Sequence, residues 1–199
     1  MKINLTEIYK GLAEWRAERG ITAESQKEGY IVNVMEELGE LAAGLRNYAS
    51  WSKCDLRFCQ IHKEMAERLI VDAICDIAVL TINVGADINC NEKLESINTT
   101  TQTTRCNSSL SFLLSECGNF DYYGKLSSYA CFNQILLSCA KLCEHYGFNF
   151  EIAMLETIKE ISSRTGSYDE KAKKWIKDTS DEARKKWYSA NYELARIKQ

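Results

Sequence analysis

A chain of 199 residues, 45% apolar and 27% charged, is long enough to bury one core, and we read residues 1–199 as one domain with an insertion at about 89–148. No apolar run approaches the roughly 18 residues of a membrane-spanning helix, so an integral membrane role is excluded. Twenty-five basic against 28 acidic residues give a net charge of −3, and without a long basic stretch extended nucleic acid is not an expected partner.

Proline is absent, glycine is sparse, and apolar residues recur at three and four, which predicts an all-α fold with very little strand. A first helix is expected from Leu5 to about Arg19, with Ile8, Leu12 and Trp15 on one stripe and Gly20 placed to end it. A second runs from about Ser25 to Tyr48 on Ile31, Val34, Leu38, Leu41 and Leu45. The third covers about Leu56 to Gly85, with an interruption expected near His62. From Asn89 to Asn107 the composition turns to Asn, Thr, Ser and Cys, poor helix material that reads as a mobile loop. Helices follow at about Ser109–Cys117, Lys125–Tyr146 and Asn149–Ser163, with a last one near Ser180–Ile197.

Nine cysteines, an odd number without a CxxC pair, indicate neither a disulfide framework nor a zinc ribbon. They read as free thiols packed as small hydrophobes in a reducing cytoplasm. The start Met1-Lys2-Ile3-Asn4-Leu5-Thr6-Glu7 has an acid where a signal peptide would carry its apolar centre, so no export is expected. Cys139 and Cys143, one turn apart with His145 close behind, are a weaker candidate for a metal.

The informative stretch is Met35-Glu36-Glu37-Leu38-Gly39-Glu40-Leu41. Glu37 and Glu40 stand at i, i+3, and Glu36 and Glu40 at i, i+4, so the three acids share one helix face at the border of the apolar stripe. Like charges this close repel, and a hard divalent cation with oxygen ligands offsets that repulsion. On the next helix Asp72 and Asp76 lie one turn apart within Ile70-Val71-Asp72-Ala73-Ile74-Cys75-Asp76-Ile77-Ala78-Val79-Leu80. That segment is apolar on nearly all sides, where an unpartnered carboxylate is expensive. Facing Glu37 and Glu40 across a short turn, the two aspartates would complete an oxygen cage for Mg2+. Glu-x-x-Glu alone is common on exposed helices; the second pair inside an apolar helix gives the pattern its specificity. The residues alone leave open a non-catalytic helical module that holds a structural ion.

Glu37-x-x-Glu40 followed by Asp72-x-x-x-Asp76 resembles the MazG-like, all-α nucleoside triphosphate pyrophosphohydrolases, a superfamily that includes the dimeric dUTPases. Trp15-Arg16-Ala17-Glu18-Arg19-Gly20-Ile21 is similar to the family's first helix and turn. Ile161-Ser162-Ser163-Arg164-Thr165-Gly166 with Lys174-Trp175-Ile176-Lys177-Asp178 is similar to the closing basic motif of its phage-type members. The resemblance covers roughly residues 5 to 85 and 148 to 192. Where the family has Glu-x-x-Asp, this chain has Ala73, and Asp72 stands in from one residue earlier. The insertion at about 89–148 exceeds the family's usual connection and would supply extra helices or a lid.

The resemblance implies a MazG-like helical bundle that cuts a nucleoside triphosphate to the monophosphate and pyrophosphate. It implies Mg2+, with Mn2+ as a substitute, held by Glu37, Glu40, Asp72 and Asp76, and Glu36 is our candidate base. Arg164, Lys174 and Lys177 fit neutralisation of phosphate, and Asn83, two turns beyond Asp76 on the same face, is placed to read a base or sugar edge. A homodimer or homotetramer is expected, because a thin bundle needs a partner to cover its apolar faces. The same cage would serve a hydrolase of another phosphoanhydride, such as dUDP or (p)ppGpp.

Overall fold

A computed structural model describes residues 1–86, 90, 94–101, 106–122, 125–169 and 174–198. The fold is all-α. The helices are α1 (Thr6–Glu18), α2 (Ala23–Trp51), α3 (Arg57–Gly85), α4 (Cys106–Tyr122), α5 (Lys125–His145), α6 (Phe150–Ser163) and the single turn α7 (Asp181–Arg184). Gly20, at φ 62°, ends the first helical segment in the left-handed conformation that glycine adopts without a Cβ penalty. Thr22 then caps α2 by accepting the Ser25 N–H at 3.1 Å. Asn149 caps α6 in the same way, through the Ile152 N–H at 3.1 Å.

α3 is the central helix. It packs along the whole of α2 and also touches α1, α5 and α6, which is why Ile70, Val71, Ile74, Cys75, Ile77 and Ala78 are all fully buried. One continuous core runs from Ile3 to Ala195. The stretch between α3 and α6 contributes helices to this core: α4 and α5 pair with each other, and α5 lies on α3, with Phe132 filling the space beside Gly85.

Several expectations are corrected. α3 passes His62 without interruption, because the His62 ring stacks on Trp51 and meets Phe58 edge-on, sealing the turn between α2 and α3. Part of the predicted loop forms β2 (Ser96–Asn98), antiparallel to β1 (Lys2–Asn4); the rest of that stretch lies partly outside the described residues. The closing basic motif folds as a hairpin, β3 (Gly166–Asp169) against β4 (Lys174–Lys177).

The predicted last helix is broken into α7 and a 3-10 turn, Tyr192–Ala195. Its backbone N–H groups are used elsewhere. Tyr188 donates to Ser163 Oγ at 2.8 Å, Ala190 to Glu160 Oε2 at 2.8 Å and Asn191 to Glu156 Oε2 at 3.1 Å. Charge-assisted bonds to α6 outcompete a helical ladder for these donors. The cysteine expectation is corrected too, since Cys54 and Cys59 form a disulfide across the α2–α3 turn. Cys75, Cys90, Cys117, Cys131, Cys139 and Cys143 are buried thiols outside any disulfide, and burial pushes the Cys139 and Cys143 thiols well above their ordinary value, as expected of small core hydrophobes. Among the described residues no helix is long and apolar enough to cross a membrane.

Candidate active site

The antiparallel register of α2 and α3 sets the site. Tyr30 and Thr81 join their hydroxyls at 3.2 Å near one end, and Gly44 lies against Ile70 further along. Between those levels, Glu37 and Glu40 on α2 face Asp72 and Asp76 on α3. Glycine at 44 lets the helices approach closely just beside the acids, because a Cβ there would meet Ile70.

The acids act strongly on one another. The Glu37 carboxyl is pushed up to about 7, first by burial and then by the charges of Glu40, Asp72 and Glu36, with Arg164 opposing. Asp76 is pushed up to about 8 by burial and by Asp72 and Glu37. Burial also raises Asp72, against the lowering effect of a hydrogen bond from Tyr192. Among the described residues Glu37 Oε2 is buried with no hydrogen-bond partner, an acceptor facing other acceptors. Glu40 is exposed, and so is Glu36, on the solvent edge of the group.

The donor set is all hard oxygen, which suits Mg2+ or Mn2+. Among the described residues no three acidic, histidine or cysteine side chains already stand at ligating spacing. The residues nonetheless fit a divalent cation, because the unpartnered Glu37 Oε2 and the mutual repulsion are the deficits that such an ion removes.

α6 and the hairpin supply positive charge. Arg164, at the end of α6, donates through Nη2 to Glu160 Oε1 at 2.6 Å, and its charge is felt by Glu37, Asp72 and Asp76. Sequence reasoning missed Glu160. It lies one turn before Arg164, a spacing at which an acid holds an arginine in place. Lys177 is exposed on β4 with Nζ 4.9 Å from the Trp187 ring centre, and burial and the nearby Arg164 and Arg184 charges lower its pKa. Lys174 opens β4, and its side chain lies outside the described residues. Asn83 is 1% exposed. Its Oδ1 accepts from Arg16 Nη1 at 2.6 Å, while its Nδ2 is buried without a partner among the described residues.

Tyr192 is the other residue that sequence reasoning missed. Its hydroxyl donates to Asp72 Oδ1 at 2.6 Å and lies 2.9 Å from Thr157 Oγ1. The chain around it is strapped to α6 by Glu156 and Glu160.

A recess of about 590 Å3 lies among Tyr48, Lys63, Glu67 and Arg196, but its charges pair with one another, Glu67 taking both Lys63 and Arg196. More telling is a pocket of about 530 Å3 lined by Trp15, Ser25, Gln26, Gly29, Tyr168 and Trp175. Trp15 is half-buried here, its Nε1 donating to the Ile161 carbonyl at 3.3 Å. Arg19 stands between the two tryptophans, 5.4 Å and 5.1 Å from their ring centres. It spends its guanidinium on the last carbonyls of α6, the unsatisfied acceptors of a helix end. On β4, Trp175 and Lys177 share a face because side chains alternate along a strand, so one strand serves both the aromatic pocket and the charged centre.

Comparison with protein-family models, with curated proteins and with solved structures gives no match.

Proposed function

We propose that this chain is a divalent-cation-dependent hydrolase that cuts a nucleoside triphosphate into the monophosphate and pyrophosphate, as its resemblance to the MazG-like enzymes implies. One observation carries the reading: Glu37 and Asp76, on two adjacent helices, are brought together with other acids where burial and like charge push both carboxyls up, and among the described residues Glu37 Oε2 is buried without a partner. A bundle gains no stability from such an arrangement, whereas acids of this kind cluster where chemistry needs them.

Glu37, Glu40, Asp72 and Asp76 would hold Mg2+, or Mn2+ in its place. When bound, the ion supplies charge neutralisation and polarisation of the phosphate oxygens. Arg164, fixed by Glu160, and Lys177 neutralise the charge that develops on the leaving pyrophosphate. Glu36, open to solvent beside Glu37, accepts a proton from the water that attacks the α-phosphorus, and the bond to the bridging oxygen breaks. The pocket of Trp15, Tyr168 and Trp175 supplies faces and edges for a nucleobase, and Gln26 supplies an amide to read its edge.

A second copy of the chain is supported by Phe58, Ile61, Met65 and Leu69, which line one face of α3 and are 61%, 51%, 56% and 49% exposed.

The test is the product formed from a panel of ribo- and deoxynucleoside triphosphates with Mg2+. Pyrophosphate and monophosphate in equal amounts support the reading. Orthophosphate would redirect it to another phosphoanhydride, and metal binding without turnover to a structural module.

A further inference from the structure

Arg16 stands in α1 one residue after Trp15, half-buried, and its Nη1 donates to Asn83 Oδ1 at 2.6 Å. Three other arginines are spent on opposite charge or on helix ends. Arg164 pairs with Glu160, Arg196 with Glu67 and Glu193, and Arg19 caps α6. Among the described residues no carboxylate lies within ion-pair distance of Arg16. Its recorded partner is a neutral amide.

That amide is itself incomplete. Asn83 is 1% exposed, and its Nδ2 is buried with no acceptor. A half-buried guanidinium without an anion and a buried amide N–H2 without an acceptor are deficits of the same sign, and oxygens of one anion would answer both. Their place is informative as well. Asn83 follows Asp76 by seven residues, two turns along the same face of α3 and about 10 Å of helix rise. A row of groups thus runs from acids that would take a cation to donors that would take an anion.

We infer that Arg16, positioned by Asn83, is an anion-binding residue that takes a phosphate oxygen of the substrate at the end of the site away from Asp72. This rests on the nucleotide-hydrolase reading for the identity of the anion's carrier, but not for the anion itself. Asn83 in this view positions Arg16 through Oδ1 and offers Nδ2 to the same anion, and it does not read a base edge. Arginine suits the task because its planar fork keeps its charge at any working pH and can hold the amide and a phosphate oxygen together.

The experiment compares wild type, Arg16→Gln and Arg16→Lys in two measurements: kcat and KM for the preferred triphosphate, and calorimetric affinity for inorganic tripolyphosphate with Mg2+. Arg16→Gln is expected to raise KM and weaken tripolyphosphate about tenfold or more, with melting temperature near wild type, and Arg16→Lys to recover part of the loss. An active wild type whose KM and tripolyphosphate affinity stay within about twofold in Arg16→Gln would overturn the inference. So would an equal loss of affinity for the unphosphorylated nucleoside. If no triphosphate is hydrolysed but tripolyphosphate binding still depends on Arg16, the hydrolase reading fails and the anion site stands. Should Arg16→Gln not fold, Asn83→Asp decides: a carboxylate there neutralises Arg16 in place and is expected to weaken tripolyphosphate equally, and unchanged binding would overturn the inference.

Discussion

Tyr192 donates a 2.6 Å hydrogen bond to Asp72 Oδ1 from a segment 120 residues away in the chain. With Oδ1 engaged, the second oxygen of Asp72 is left for the acidic centre, so the tyrosine fixes how a short side chain presents itself. This matters because, on the proposed reading, Asp72 would be a cation ligand with a short side chain. Outer groups that orient a ligand typically affect metal affinity by 10–100-fold. Tyr192→Phe keeps the ring and removes only the hydroxyl. It is expected to weaken Mn2+ binding, followed by the electron paramagnetic resonance of the free ion, by about tenfold or more. Unchanged Mn2+ affinity would show that the bond serves only to anchor the tail.

The acids make stability depend on pH in an unusual direction. Unfolded Asp and Glu titrate near 4, whereas Glu37 and Asp76 in the fold titrate at about 7 and about 8. Between those limits these two groups bind more protons in the native state than in the unfolded chain, so their contribution to stability is full below about pH 4 and is lost as pH rises through 7 and 8. A divalent cation replaces the protons. Thermal melts in chelator and in Mg2+ across this range test it, and the rise in Tm on adding Mg2+ is expected to be larger near pH 8.5 than near pH 5.5. A metal-free Tm that climbs between those two values, or an equal effect of Mg2+ at both, contradicts the arrangement of charges.

Two glycines of α2 separate packing from propensity. A Cβ at Gly44 would lie 2.9 Å from Ile70 Cγ1 and 3.2 Å from the Ile70 backbone nitrogen, whereas one at Gly39 meets nothing within 4 Å. Gly44→Val is therefore expected to cost about 1–3 kcal/mol by forcing the helices apart, and to shrink the Mg2+-induced rise in Tm because the acids separate with them. Gly39→Ala is expected to stabilise by up to about 1 kcal/mol. Denaturant titration of both variants measures the pair, and a tolerated valine at 44 would refute the close approach.

Much of this was legible in the sequence. The apolar periodicities of α1, α2, α3, α5 and α6 placed those helices within a few residues, because each buries a continuous stripe. Asp72 and Asp76 stood out in the sequence as well, since an acid inside the apolar segment Ile70–Leu80 needs a partner. The tail was not. Ser180–Ile197 has helical composition, and Glu156, Glu160 and Ser163 on α6 decide where its N–H groups go. For the same reason Tyr192 was invisible: its role depends on a contact across 120 positions, and no local pattern encodes it. The hairpin was hidden because its strands are only four residues each. The Cys54–Cys59 bridge follows from the tightness of the α2–α3 turn and not from a spacing motif.

The most direct test of the central claim is Asp76→Asn, which keeps shape and removes a buried carboxyl. Measured without metal near pH 8, its Tm should equal or exceed that of wild type, because burying a neutral amide avoids the cost of ionising Asp76. Magnesium-dependent pyrophosphate release should fall by about 100-fold or more. A folded Asp76→Asn that releases pyrophosphate at the wild-type rate, with the same Mg2+ dependence, would contradict the assignment of the acidic centre as the site of catalysis.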